Sequence, residues 1–87
     1  MMTLSTETIS RVQRVLGNHA ELSKQADLLH TDDDLFAAGM SSRATVGVML
    51  GLESEFDIEF PDAMLRRDVF ESIRSISIAI EQLTVNA

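Results

Sequence analysis

The stretch Ala37-Ala38-Gly39-Met40-Ser41-Ser42-Arg43-Ala44-Thr45-Val46-Gly47-Val48-Met49-Leu50-Gly51-Leu52-Glu53-Ser54-Glu55-Phe56, continuing Asp57-Ile58-Glu59-Phe60-Pro61-Asp62, decides the fold. A glycine followed by paired serines reads as a loop that opens a helix, because serine caps orphan first-turn amides. The helix is expected over 42–56. Thr45, Val48, Met49, Leu52 and Phe56 share one face at helical spacing, and that face enters the core. Pro61 biases Phe60 away from helix, so the element closes at an acidic, apolar corner. Val46 and Leu50 lie on a stripe that starts at Ser42 and leans away from the core. Such a stripe is either a partner surface or ground covered by the preceding loop.

Upstream, Ser5 or Thr6 suits an N-cap, with Glu7 in the first turn. Ile9, Val12, Val15 and Leu16 mark one face of a first helix over 6–16, and Gly17-Asn18 reads as its stop. Residues 18–40 read as a long connection pinned to the core by Leu22, Leu28, Leu29, Leu35 and Phe36. Asp32-Asp33-Asp34 lacks the glycine and remaining ligands of a calcium loop. It reads as solvated charge or as the cap of a short turn at Leu35-Phe36, and no metal site is expected.

Downstream, Pro61-Asp62 suits the start of a short third helix containing Ala63, Met64 and Leu65. Arg66-Arg67 follows as the one basic doublet, placed either to favour a helix C-terminus or to dock a partner. Ser72 suits the cap of a last helix whose face is Ile73, Ile76, Ile80 and Leu83, with a frayed end over 84–87. The local alternation Ile76-Ser77-Ile78 imitates a strand, but the longer helical period prevails. The expected architecture is all-α: a small four-helix bundle, residues 1–87 forming one domain, with a long first loop and a short third helix.

The chain has 87 residues, 45% of them apolar, with four phenylalanines as its only aromatics. Its core must therefore rest on aliphatic side chains. Fourteen acidic residues against seven basic ones give a formal charge of −7, which a phosphate backbone would repel, so nucleic acid is not an expected partner. Acidity suits docking on basic patches, and equally suits solubility. There is no cysteine, which excludes disulfides and thiolate metal sites. The start, Met1 to Ser5, reads as no secretion signal, and no apolar run is long enough to span a bilayer. A cytoplasmic monomer with no membrane association is expected.

An enzyme's equipment is missing from the sequence. His19 and His30 have no ligand or triad partners at useful spacing, and there is no phosphate loop or nucleophile elbow. Ser42 stands apart because a hydroxyl at a helix N-terminus lies where first-turn amides and the dipole favour a phosphate. The alternative is that Ser41 or Ser42 merely caps the helix; with two serines, one is free to cap while the other is modified.

The stretch from Asp34 to Asp62 resembles the core of the phosphopantetheine-dependent acyl carrier proteins. The family pattern is a Leu-Gly-x-Asp-Ser-Leu segment heading helix 2, a Val- and Leu/Met-rich helix ending Leu-Glu-x-Glu-Phe, then Asp, Ile and a Pro-Asp corner. This chain matches at Gly39, at Ser42, at Leu52-Glu53-Ser54-Glu55-Phe56-Asp57-Ile58 and at Pro61-Asp62. It departs at Ser41 and Arg43, where the family has Asp and Leu. The form Gly39-Met40-Ser41-Ser42 is more similar to the stand-alone aminoacyl carrier proteins.

That resemblance implies a 4'-phosphopantetheine, transferred from coenzyme A to Ser42 by a phosphopantetheinyl transferase. It implies loading of glycine or another small amino acid as a thioester by a separate ligase similar to a class II seryl-tRNA synthetase, and delivery to an unidentified acceptor. It implies no catalytic residue. By the family pattern partners read helices 2 and 3, which nominates Arg43, Val46 and Leu50, with Arg66 and Arg67 behind them. A fatty-acyl or polyketide carrier is the alternative within the family, with Met49, Leu52 and Ile76 as candidate lining for an acyl chain. A cargo-free acidic interaction module is the alternative outside it.

Overall fold

The computed structural model describes residues 5–20, 22 and 28–85, and the readings of Met1 to Leu4 and of Asn86-Ala87 lie outside them. The described residues contain three α-helices: α1 (Thr6–His19), α2 (Ser42–Phe56) and α3 (Ile73–Val85). The all-α class holds. The first helix packs on both of the others, and Val12, Val15, Leu16, Val48, Leu52, Ile73, Ile76 and Ile80 fill the core between them. No helix among the described residues is long and apolar enough to cross a membrane.

The Ser5 hydroxyl caps α1 by accepting the Thr8 N–H. The helix does not stop at Gly17; it runs to His19 and closes with the Ala20 N–H on Leu16 O at 2.9 Å. A glycine inside a helix costs about 1 kcal/mol, which packing can outweigh. Here the last turn is held by α2. The His19 ring lies against Gly47 and Gly51; a Cβ on Gly51 would come within 2.8 Å of that ring and 2.9 Å of Val15 Cγ1. Bare backbone at Gly51 is what lets the two helices approach so closely.

The expected bounds of α2 hold. Its C-terminus explains the pattern Leu52-Glu53-x-Glu55-Phe56-Asp57-Ile58 residue by residue. Leu52 is fully buried. The Glu53 carbonyl accepts the N–H groups of Asp57, in the left-handed region at φ 54°, and of Ile58. The Glu53 carboxylate reaches past that turn to accept the Phe60 N–H at 2.9 Å. Glu55 receives Arg11 Nε at 2.8 Å and Arg14 at 3.2 Å, while the Arg11 guanidinium lies 4.2 Å from the Phe56 ring centroid. One cation of α1 thus holds two residues of the α2 terminus.

Hydrogen bonding from Arg11, reinforced by the charge of Arg14, holds the Glu55 carboxyl below its ordinary pKa; the fork from Arg74 does the same for Asp32. A depressed carboxylate stabilises the fold fully above its unfolded-state pKa, and that contribution is lost as pH falls through the folded-state value. The stability difference between the wild type and Glu55→Gln should therefore be largest at neutral pH and vanish in acid below the carboxylate range. Urea unfolding of both proteins across that range checks it, and a pH-independent difference contradicts it.

The expected short third α-helix is not found. Two one-turn 3-10 helices, Asp62–Met64 and Arg67–Val69, stand in its place. Pro61 starts the first as expected, but Leu65 (φ −84°, ψ 63°) and extended Arg66 interrupt the helical path between them. The apolar residues of this segment face different ways: Val69 and Phe70 are buried, and Leu65 is exposed. Phe60 and Phe70 meet edge to face, with centroids 5.4 Å apart, closing the corner.

A reciprocal serine cap opens α3: the Ser75 N–H donates to Ser72 Oγ at 3.0 Å and the Ser72 N–H to Ser75 Oγ at 3.1 Å. The long first connection is strapped to this end of the molecule. The Arg74 N–H donates to Thr31 O at 2.9 Å, its guanidinium forks onto both oxygens of Asp32, and the Leu35 N–H donates to Glu71 O at 2.7 Å. Asp33 accepts the His30 N–H, and Asp34 caps the next turn by accepting from Phe36 and Ala37. The acidic triplet thus braces the loop.

Ser77, on α3, is fully buried, and its hydroxyl finds no partner among the described residues. An unsatisfied buried hydroxyl costs about 1–3 kcal/mol, and alanine is the better helix former. Ser77→Ala should accordingly raise stability by about 1 kcal/mol in chemical denaturation; a loss of that size would show that the hydroxyl is satisfied.

Candidate functional site

The turn before α2 is built to hold its geometry. Ala38, Gly39 and Met40 donate in turn to the carbonyls of Asp34, Phe36 and Leu35, at 3.0, 3.1 and 3.0 Å. Leu35 and Met40 are buried as its anchors. Gly39 sits at φ 115°, a conformation that other residues rarely adopt, so a side chain there would strain the turn that aims the serines.

The tandem serines divide their work. Ser41 is the N-cap: its hydroxyl accepts the Ala44 N–H at 3.0 Å, and its carbonyl accepts both the Thr45 amide and the Thr45 hydroxyl. Ser42 is the first residue of α2, exposed, and its hydroxyl makes no hydrogen bond among the described residues. The cap does not consume it.

Ser42 lies at a groove of about 510 Å³ between α2 and the two 3-10 turns. Thr45, Val46 and Met49 continue the Ser42 stripe along one wall; Phe36, Leu65 and Phe70 supply much of the rest. Arg66 and Arg67 bring two cations to the same groove. The Arg67 guanidinium stacks 3.9 Å from the Phe36 centroid, and Arg66 Nε pairs with Asp68 at 3.2 Å.

The residues singled out from the sequence do not all gather here. Val46, Arg66 and Arg67 share the groove with Ser42. Leu50 lies elsewhere, in a second depression with Val15, His19 and Gly51. Val46 and Leu50 are both more than half exposed, at 54% and 55%, so the described residues of the first loop do not cover them. Arg43 is exposed and has no ion pair or hydrogen bond among the described residues. Sequence reasoning missed the groove roles of Phe36, Met49, Leu65 and Phe70. For Met49 a signal existed, since residues 42, 45, 46 and 49 share a helical stripe; the others come from separate segments that only the folded chain assembles.

A phosphodiester fits this place. An exposed, uncommitted hydroxyl opens a helix whose Ser42 and Arg43 amides have no acceptor among the described residues. Two of the seven basic residues of an acidic chain, Arg66 and Arg67, line the groove with Ser42, and a third, Arg43, follows it directly in sequence. An amide-rich, partly apolar arm would find the groove wall beside it.

Comparison with known proteins agrees with this geometry. A family model described as "Phosphopantetheine attachment site" matches residues 6–80. The aminoacyl carrier protein of Agrobacterium fabrum is 41% identical over 70 residues, covering 80% of this chain and 84% of that protein. The D-alanyl carrier protein of Leuconostoc citreum is 29% identical over 83 residues, covering 94% of this chain and 97% of that protein. The fold superposes with a TM-score of 0.84 and 38% identity on a chain in the crystal structure of an engineered Bradyrhizobium japonicum glycine:[carrier protein] ligase complexed with a carrier protein from Agrobacterium tumefaciens and ATP. That match covers 87% of this chain and 99% of the other. A bundle that offers a free serine hydroxyl at the head of its second helix, together with these likenesses, establishes that the chain belongs to the phosphopantetheine-attachment family of carrier proteins, as a homologue of the aminoacyl carrier proteins.

Proposed function

We propose that the 4'-phosphopantetheine of this carrier is held as a phosphodiester on Ser42, and that its cargo is glycine or another small amino acid. The observation that carries this reading is the division between the serines: Ser41 holds the helix, and Ser42 presents an unbonded hydroxyl at the mouth of the groove. When bound, the group supplies a thiol on a flexible tether, on which the amino acid is held as a thioester at high effective concentration.

The chain's own residues position and present. The turn closed by Gly39 and capped by Asp34 fixes where the hydroxyl points. First-turn amides and nearby arginines favour the negative charge at the attachment point. Arg43, with Val46 and Leu50, forms the exposed stripe of α2 offered to partners, and Arg66 and Arg67 extend it across the groove. The partners in this reading are a phosphopantetheinyl transferase, a separate amino acid:[carrier protein] ligase and a downstream acceptor. The carrier works as one cytoplasmic, monomeric domain over 1–87, without catalytic residues of its own. The amino-acid cargo is preferred to a fatty-acyl one on two counts. The relatives are aminoacyl and D-alanyl carriers, and of the three candidates to line an acyl space only Met49 reaches the groove, while Leu52 and Ile76 lie in the closely packed core.

Incubation with a broad-specificity phosphopantetheinyl transferase and coenzyme A tests the attachment. Intact mass spectrometry should show the gain of one phosphopantetheine, and tandem fragmentation should place it on Ser42. No gain, beside a reactive control carrier in the same tube, overturns the reading.

A further inference from the structure

Resting on the attachment at Ser42, we infer that the groove beside it receives the unloaded arm and rejects the same arm once it carries a cationic amino acid. The argument starts from what shares the groove. Ser42 is itself a lining residue, so anything tethered to its hydroxyl begins inside the groove and needs no path to reach it. Met49, Leu65 and Phe70 line it with apolar side chains, and Leu65 leaves nearly half of its surface, 46%, exposed. A pantetheine chain in contact with that wall removes apolar area from water at little cost in translational freedom, because it is already attached.

Charge then distinguishes the two states of the arm. The groove is the place in this acidic molecule where Arg66 and Arg67 stand side by side. Among the described residues no carboxylate lines it, and the Arg67 guanidinium lies over the Phe36 ring. The partner of Arg66, Asp68, lies in an exposed pair, which water screens. Arg66, Arg67 and the apolar wall line one groove, so an arm lying in it brings its far end near these cations. A free thiol at the other end is neutral and is tolerated. An aminoacyl thioester ends in an α-ammonium, which the same two guanidiniums repel at close range in a partly apolar setting. Loading therefore changes the end of the arm from acceptable to unfavourable, and the loaded end turns outward, where an acceptor reaches it. In this arrangement Arg66 and Arg67 position the arm; no bond is made or broken by them.

The test compares four forms by backbone amide NMR at pH 6, below the ordinary α-amino range of about 7.7–8.0. They are the apo chain and the forms made by the transferase from coenzyme A, glycyl-coenzyme A and N-acetylglycyl-coenzyme A. The unloaded and N-acetylglycyl forms should shift the amides of Met49, Leu65 and Phe70 relative to the apo chain, and the glycyl form should return them toward their apo positions. In Arg66→Gln/Arg67→Gln the glycyl and N-acetylglycyl spectra should coincide. Groove amides that stay at their apo positions in every form overturn the inference while the mass gain on Ser42 stands. Identical wild-type spectra for the glycyl and N-acetylglycyl forms overturn its electrostatic half without needing any variant to fold. Absence of the mass gain overturns the attachment itself, and the inference with it.

Discussion

Ser42→Ala should gain no phosphopantetheine at all, while Ser41→Ala is still modified. The two substitutions separate because the hydroxyls do different things. Ser42 makes no hydrogen bond among the described residues and sits exposed at the first helical position, where alanine is well tolerated. Its loss removes the nucleophilic oxygen and leaves stability within about 0.5 kcal/mol of the wild type. Ser41 is committed to the Ala44 amide, and removing an N-cap hydroxyl costs about 1 kcal/mol. Ser41→Ala should thus melt lower yet gain the full mass of the arm. Mass spectrometry and thermal unfolding of the pair read both effects at once. A modified Ser42→Ala, or an unmodified but folded Ser41→Ala, would reverse the roles assigned here.

The largest effect on stability should come from Leu52→Ala. Leu52 is fully buried among α1, α2 and α3, and truncating such a leucine costs about 2–5 kcal/mol in lost transfer energy and residual cavity. Domains have roughly 5–15 kcal/mol of total stability, so much of the margin disappears. At about 4–8 °C per kcal/mol for a domain of this size, the melting temperature should fall by roughly 8–40 °C. Leu50, two residues earlier on the same helix, is the control. It is 55% exposed, and Leu50→Ala should change stability by no more than about 0.5 kcal/mol. Equal losses for the two leucines would mean that α2 buries a different face.

What was legible in the sequence depended on how local the cause was. The bounds of α2 are set by a glycine turn, a serine cap and a Pro-Asp corner, all within a few residues of the helix ends, and they were read correctly. The cap of α3 at Ser72 was legible for the same reason. The end of α1 was not. Gly17-Asn18 is a sound local stop signal, but it yields to the contact of His19 with Gly47 and Gly51, residues that only folding brings near. The short third helix failed in the opposite direction. Its start at Pro61 was right, but Leu65 and Arg66 take non-helical backbone so that Phe70 can pack on Phe60 while Leu65 stays outside.

The site follows the same division. Ser42 is singled out by its neighbours in sequence, and its exposure and its hydroxyl, unbonded among the described residues, are compatible with that choice. Most of the groove wall was not legible: Met49 shares a helical stripe with Ser42, but Phe36, Leu65 and Phe70 come from other segments and carry no local sign of shared purpose. The strapping of the loop by Arg74 on Asp32, forty-two residues apart, was equally invisible. It converts a triplet that reads as loose surface charge into part of the frame that holds the Asp34-capped turn, and hence the serines, in place.

The most direct test of the central claim is the mass of the wild-type chain followed through two steps. The transferase and coenzyme A come first, then a glycine:[carrier protein] ligase with ATP and glycine. The predicted result is a gain of one phosphopantetheine, then of one glycyl group, with only the second removed by neutral hydroxylamine, as a thioester requires. A chain that acquires the arm but no glycyl group, alongside a control carrier that the same ligase loads, would contradict the proposed cargo. A glycyl adduct that appears without the arm, or survives hydroxylamine, would contradict a thioester on the arm carried by Ser42.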